Sequence, residues 1–335
     1  MQLYPWQQDN MNSLLKQLSS GKLPHALLIA GADGIGKLNL AKTFVQRFFC
    51  TQAMGMSPCQ SCDACHKFEV NTHPDLKLIE PPEGKQFIVV DQIRALIEFV
   101  SLTPHSSSKK IVIIDQAEKL NINAANSLLK TLEEPPESSM LILITHRPDM
   151  LLPTIRSRCQ QNNLALPADS IAKTWLAREA KEMQKSTDVN AVLSLASGAP
   201  LKARQMIEDD VLIKRDQLFS SFEAIASNET HPIEVAKTWF KNDADFVVSC
   251  MLSWLVDIIR LRSDNGGTKP MISNTDIRPS LTDLAASLSL RNAIDLYQKL
   301  IQYGTLKKSN VNAQLILEDY LIDWKMLCAK EATNG

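Results

Sequence analysis

A glycine-rich segment directly follows the apolar run ALLIA at residues 26–30. Three of its residues, Gly31, Gly36 and Lys37, match the phosphate-binding pattern G-x-x-x-x-G-K, and Gly34 is a further glycine inside the pattern. In such a P-loop, backbone N–H groups and the lysine hold nucleotide phosphates, and the next residue supplies a hydroxyl to Mg²⁺. That residue here is Leu38, which has no hydroxyl. The loop therefore predicts a site in which binding of ATP or ADP is possible and hydrolysis is impaired.

A hydrolytic site also needs an acidic residue at the end of a neighbouring strand. Asp115 closes KKIVIID and suits Mg²⁺ binding, but Gln116 follows it where an ATPase places a carboxylate base. We expect Glu118, two positions on, to point elsewhere. Two departures in one site favour a poor or absent ATPase. The alternatives are an active ATPase with an atypical P-loop and a glycine-rich turn retained only for packing.

Four cysteines lie close together in the chain, at Cys50, Cys59, Cys62 and Cys65. Two overlapping C-x₂-C pairs and one upstream thiol match the ligand set of a tetrahedral, structural zinc site. A disulfide set and four unrelated thiols are the alternatives, and His66 and His73 are nearby candidate ligands. The remaining cysteines are isolated and are expected to be buried thiols: Cys159, Cys250 and Cys328.

The first half of the chain alternates apolar runs with helical patterns, which favours a parallel sheet flanked by helices. HALLIAG, KLIEP, KKIVIID and MLILITH read as strands. FIVVDQIRALIEFV reads as a helix capped by Asp91, and NINAANSLLKTLEEPP as a helix that must end near Glu134, before two prolines. The phosphate loop and Asp115 thus fall at strand ends.

The pattern changes beyond about residue 166, where helical periodicity dominates. We expect three parts. Residues 1–165 form a P-loop α/β domain with a zinc-binding insertion at about 50–65, residues 166–207 a small helical domain, and residues 208–335 an all-helical domain. SDNGGTKPMISN is predicted to be a loop, and the tryptophans of the last domain are predicted to be core residues: Trp239, Trp254 and Trp324.

Composition is that of an ordinary globular protein, with 335 residues, 44% hydrophobic and 22% charged. No secretory signal and no membrane-length apolar segment is evident, so a cytoplasmic location without membrane contact is expected. A formal net charge of −1 disfavours a stand-alone, zinc-stabilised DNA-binding protein. Lys109 and Lys110 could touch a phosphate backbone, although paired lysines before a strand are usually solvated.

Two further motifs resemble those of the bacterial clamp-loader subunits of the AAA+ class. They are NSLLKTLEEPP at residues 126–136 and TIRSRC at residues 154–159, and the four-cysteine insertion after the P-loop helix fits the same family. The resemblance implies an AAA+-like domain, a small helical lid and a C-terminal collar that packs against partner subunits in a C-shaped arc. Thr145 resembles the position that senses the γ-phosphate in active relatives.

The resemblance also implies that the subunits of the assembly have different roles in ATP hydrolysis. Arg158, in SRC, matches the arginine that reaches ATP bound by a neighbouring subunit, while Arg156 could serve as well. The hydrolysing gamma/tau subunit carries a hydroxyl, a glutamate and an arginine where this chain has Leu38, Gln116 and Leu201. The implied partners are gamma/tau and delta subunits, with the sliding clamp and primed DNA reached through the assembly. ATP turnover would then occur in the partners.

Overall fold

The computed structural model describes residues 3–240, 244–264, 270–306 and 313–332. The chain divides into two compact units, Met1–Ile171 and Ala172–Gly335. The first unit contains the sheet and the second is helical. The α/β class followed by helices is therefore confirmed, and the three-part division at residues 165 and 207 stays a prediction.

The first unit is built on a parallel sheet with the spatial order β2-β3-β4-β1-β5. Its strands are β1 (Ala26–Ala30), β2 (Leu76–Ile79), β3 (Lys110–Ile114), β4 (Ser139–Thr145) and β5 (Gln160–Asn163). Every residue of β1, β3 and β4 is buried, as their continuous apolar runs require in the centre of a parallel sheet. These three strands and β2 confirm the strand predictions.

The fifth strand was not predicted. β5 pairs in parallel with β1 at the edge of the sheet, although its sequence is QQNN and most of its residues are exposed. An edge strand needs only backbone hydrogen bonds on one side, so it can form without an apolar pattern. Hydrophobic periodicity therefore carries no signal for this strand.

The helices of the first unit cover the sheet. They are α1 (Gln8–Ser19), α2 (Lys37–Phe49), α3 (Asp63–Glu69), α4 (Val90–Ser101), α5 (Ile122–Glu133) and α6 (Pro153–Arg156). α5 ends where its prolines predict. α4 begins before the expected cap, so Asp91 lies in its first turn, and the side chain of Gln92 accepts a hydrogen bond from the backbone N–H of Val89.

A buried carboxylate organises the loop between α4 and β3. Asp75 is fully buried and accepts hydrogen bonds of 2.7–3.0 Å from three successive backbone N–H groups, those of His105, Ser106 and Ser107. Lys110, also buried, lies 3.5 Å from the same carboxylate and 4.2 Å from the ring centre of Phe99. Lys110 is therefore a structural residue, and the expectation that paired lysines before a strand are solvated is wrong for it.

Asp75→Asn is expected to destabilise the first unit by about 3 kcal/mol, because it leaves the buried Lys110 charge without its anion. Burial alone would raise the pKa of the Asp75 carboxyl, but the hydrogen bonds from His105 and Ser106 bring it below its ordinary value. The stabilisation from this carboxylate is therefore present above pH ~4 and is lost as the pH falls below that. Urea unfolding at several pH values measures both effects.

Asp91→Asn is the matched control, because Asp91 pairs with Arg94 on the surface with its side chain 80% exposed. We expect it to change the free energy of unfolding by roughly 0.5 kcal/mol or less. Equal losses in the two variants would contradict a special role for the buried carboxylate.

The second unit is helical, and an aromatic core lies among its helices from residue 218 onward. It contains α7 (Asp169–Glu182), which begins in the first unit, α8 (Val189–Leu195), α9 (Pro200–Glu208), α10 (Val211–Ala226), α11 (Pro232–Phe240), α12 (Ala244–Arg262), α13 (Arg278–Ala286), α14 (Leu290–Leu306) and α15 (Ala313–Ala332). Trp324 stacks on Phe222 with ring centres 4.0 Å apart and donates a hydrogen bond to its carbonyl. The core residues predicted from sequence are buried: Trp239, Trp254, Trp324, Cys250 and Cys328.

A buried polar network fixes the segment between α12 and α13. The guanidinium of Arg215, 2% exposed, is paired with Asp216 and Asp276, and it donates to the side chain of Asn274. Asn274 donates in turn to the fully buried Asp257. Residues 270–274 form the described end of the predicted loop SDNGGTKPMISN, and 265–269 lie outside the described residues.

Within the described parts of the chain, no helix is long and apolar enough to cross a membrane.

Candidate nucleotide site, cysteine cluster and surface arginine

A cavity of about 550 Å³ opens where β1, β3 and β4 end at the same edge of the sheet. Ligands bind at this edge in parallel α/β folds, because loops and helix N-termini meet there. The cavity brings together most of the predicted site, being lined by Asp33, Gly34, Gly36, Lys37, Leu38, Asp115, Gln116, Lys119, Ile144, Thr145 and His146. Gly31 stands at the end of β1, where a Cβ atom would collide with the carbonyl of Leu164.

The phosphate loop is held by the N-terminal segment of the chain. Gly36 has a φ of 83°, a left-handed conformation that favours glycine, and directly precedes α2. The side chain of Gln7, fully buried, donates to the carbonyl of Gly36 at 2.7 Å, and the indole N–H of Trp6 donates to Ile35 at 2.9 Å. Sequence patterns gave no signal for Gln7 and Trp6, because their partners are backbone atoms about 30 residues away.

The P-loop lysine is bound to its own loop. Lys37 is 7% exposed, and its Nζ donates a 2.6 Å hydrogen bond to the carbonyl of Ala32. Burial lowers the pKa of Lys37, against the attraction of Asp33 and the other nearby carboxylates. One of the three ammonium N–H donors is thus used within the loop, which leaves two for a nucleotide phosphate.

β3 is followed by a carboxylate at Asp115 but by an amide, not a second carboxylate, at Gln116. Asp115 follows β3 and lines the cavity, and burial raises the pKa of its carboxyl. Gln116 adopts a left-handed backbone with φ of 53° and also lines the cavity. An amide cannot take a proton from an attacking water as a carboxylate base does. Gln116 therefore cannot act as a general base.

Glu118 does not line the cavity itself but is bonded to two residues that do. The hydroxyl of Thr145 donates a 2.6 Å hydrogen bond to Glu118 Oε2, and His146 Nδ1 lies 2.7 Å from Oε1. The single hydroxyl proton of Thr145 is thereby engaged, and its oxygen accepts from the backbone N–H of Arg147. Thr145 has no donor left for a γ-phosphate in this arrangement.

The four predicted cysteine ligands form a compact cluster beside α2 and α3. Their sulfur atoms all lie within 4.8 Å of one another, with 4.0 Å between Cys59 and Cys65 and 3.9 Å between Cys50 and Cys62. A tetrahedral ion with metal–sulfur bonds of 2.3 Å requires sulfur separations of about 3.8 Å. The observed spacing therefore fits a tetrahedral metal held by four thiolates.

Backbone N–H groups donate hydrogen bonds to two of these four sulfurs. The N–H of Cys59 donates to Cys50 Sγ and that of Cys62 donates to Cys59 Sγ, at 3.2 and 3.3 Å. Hydrogen bonds from Ser61 lower the pKa of the Cys59 thiol to about 6. The alternative ligand His73 is buried and stacks on Phe49 at 3.9 Å, so it has a packing role of its own.

Arg158 lies on the surface in a turn that is anchored from both sides. Ile155 and Cys159 are buried in the core of the sheet, and burial raises the pKa of the Cys159 thiol to about 11. Between them, the Arg158 side chain is 34% exposed, donates to the Thr154 carbonyl at 3.0 Å and pairs with Glu133 at 2.6 Å. Arg156, the alternative, donates to the carbonyl of Pro148.

Leu201 lies in α9, in the second unit, so its predicted place beside the nucleotide stays a prediction. The adjacent Arg204 is engaged by Glu179 and Glu208 within that unit.

The phosphate loop after β1, the acidic residue after β3 and the polar residue ending β4 define a P-loop α/β protein of AAA+-like class. The family described as DNA polymerase III, delta subunit, matches residues 6–168, and the C-terminal family of the same description matches residues 209–326. The chain is 32% identical to DNA polymerase III subunit delta' of Pseudomonas aeruginosa over 97% of this chain and 98% of that protein. It belongs to the family of DNA polymerase III delta' subunits.

The chain is also similar to three further proteins. The delta' subunit of Escherichia coli is 29% identical over 96% of this chain and 95% of its own length, and the tau subunit of that organism is 34% identical over 49% of this chain and 25% of its own length. Among solved structures, a gamma subunit-related protein of Thermotoga maritima superposes with a TM-score of 0.43 at 17% identity, covering 94% of this chain and 99% of that one.

Proposed function

We propose that this chain is a non-hydrolysing subunit of the bacterial replicative clamp loader, which supplies Arg158 in trans to the ATP site of a neighbouring subunit. One observation carries the proposal. The chain's own cavity lacks a hydroxyl at Leu38 and a base at Gln116, while Arg158 is anchored on the surface outside the cavity lining. An arginine presented to a neighbour stabilises the charge that develops on a transferring phosphoryl group.

The contacts inside the cavity support the absence of ATP turnover. Lys37 is engaged by Ala32, and Thr145 by Glu118. Thr145 must release Glu118 before its hydroxyl can donate to a phosphate, and Lys37 offers a phosphate only the N–H donors that its bond to Ala32 leaves. ATP or ADP binding, through the loop glycines and Asp115, is accordingly weak.

The proposed partners are gamma/tau and delta subunits, and the assembly would open the sliding clamp and place it on primed DNA. The names of the relatives support a role beside the polymerase. A surface for assembly is available in the second unit, where exposed apolar residues recur at helical spacing on α14 and α15: Leu290, Ile294, Ile301, Leu315, Ile322 and Met326. These helices would form this chain's part of a collar.

Zinc is the proposed occupant of the cysteine cluster. Four thiolates complete its tetrahedral shell and leave no position for a water, so the ion would hold the insertion folded and take no part in catalysis.

The isolated chain is expected to show no ATP turnover above background, with or without primed DNA and clamp. Any binding of a fluorescent ATP analogue should change by less than about threefold when Mg²⁺ is added, because Leu38 offers the ion no ligand. Colorimetric phosphate release and fluorescence titration measure the two quantities. Lys37→Ala is the control and should leave the background rate unchanged. DNA- or clamp-stimulated turnover would identify the chain as an active motor instead.

A further inference from the structure

The C-terminal end of α5 carries a negatively charged side chain, that of Glu133, at a place where the helix dipole is unfavourable to anions. Glu133 is the last residue of α5, where the helix dipole favours cations and disfavours anions. Its partner is the Arg158 guanidinium, 2.6 Å away, with the two side chains 49% and 34% exposed. Arg158 therefore compensates an anion that would otherwise be unfavourable at this helix end.

The same pair restrains the arginine. Arg158 donates from Nη2 to Glu133 and from Nη1 to the Thr154 carbonyl, so two different elements, α5 and α6, hold one guanidinium. An arginine has five N–H donors, which leaves three for another ligand. A free arginine side chain carries considerable rotamer entropy, and a docked phosphate would have to order it.

We infer that Glu133 is a positioning residue for Arg158, fixing the guanidinium on the surface before it meets the neighbouring nucleotide. This inference rests on the proposed function of Arg158. Because the pair is partly solvated, its contribution is modest, and Glu133 acts only through the arginine. Removing it should lower turnover without changing how the neighbour binds ATP.

The test uses the full assembly, reconstituted with variants of this chain, and measures kcat and KM for ATP at the neighbouring site. We expect Glu133→Ala to lower kcat by about two- to fivefold with KM unchanged. The kcat of the Glu133→Gln assembly should lie between those of the Glu133→Ala and parent assemblies, because the glutamine amide oxygen still accepts a hydrogen bond. Glu134→Gln is the matched control, changing the neighbouring exposed glutamate, and should leave kcat unaltered.

A double variant separates positioning from a general loss of structure. In the Arg158→Ala background, Glu133→Ala should have no further effect on kcat, because the group it positions is gone. A further loss there, or a Glu133→Ala chain as fast as or faster than the parent, would overturn the inference while leaving the role of Arg158 intact. If Arg158→Ala itself leaves turnover unchanged, the result contradicts the proposed function of Arg158, and with it the role of Glu133.

Discussion

Arg158→Ala is expected to lower ATP turnover at the neighbouring site of the reconstituted clamp loader by ~10³-fold. The substitution removes the cation that would face the transferring phosphoryl group. It keeps the turn, because Ile155 and Cys159 remain buried on either side. The measurement is single-turnover ATP hydrolysis in an assembly whose other sites are inactivated, so that the rate reports on this interface alone.

Arg156→Ala is the control, because Arg156 lies two residues away and is already bound to the carbonyl of Pro148. It should change turnover by less than about twofold. Arg158→Lys should recover only part of the rate, because an ammonium cannot present the planar fork of a guanidinium. Subunit assembly, followed by gel filtration, should be unaffected in all three variants. Full activity of Arg158→Ala would remove the assignment.

Stripping the metal from the cysteine cluster is expected to unfold the insertion and destabilise the first unit. Structural zinc contributes about 10–16 kcal/mol of apparent binding free energy in small zinc modules. The insertion has no helix or strand between the end of α2 at Phe49 and the start of α3 at Asp63. α3 contains only seven residues and depends on its contacts with α2 and the cluster. Metal analysis should find one equivalent of zinc per chain.

Hydrogen exchange with and without a chelator locates the effect. Protection should be lost around α3 and the end of α2 and retained in the second unit. Cys59→Ser should cause the same loss of protection as the chelator. Cys250→Ser is the control, because Cys250 lies in the core of the second unit, and it should leave the metal content unchanged. A metal-free chain with full protection in the insertion would refute a structural metal.

Local sequence determined the central strands and the identity of the site residues. β1, β3 and β4 are continuous apolar runs, which only a doubly covered sheet can bury, and α5 must end before its prolines. The cysteine spacing predicted a cluster because close ligands in the chain are close in space. Leu38 and Gln116 predict an impaired nucleotide site, because Leu38 lacks a hydroxyl and Gln116 lacks a carboxylate.

Only the tertiary structure decided how the remaining side chains are used. β5 is polar and forms because β1 offers it a hydrogen-bonding edge. Lys37 is hydrogen-bonded to Ala32, Thr145 is hydrogen-bonded to Glu118, and Arg158 is ion-paired with Glu133. Residue types alone do not specify these partners. Hydrogen bonds and ion pairs between distant residues depend on where the fold places both partners. Sequence therefore determined which chemical groups the protein has, and the fold decided which of them remain available to a nucleotide or a neighbour.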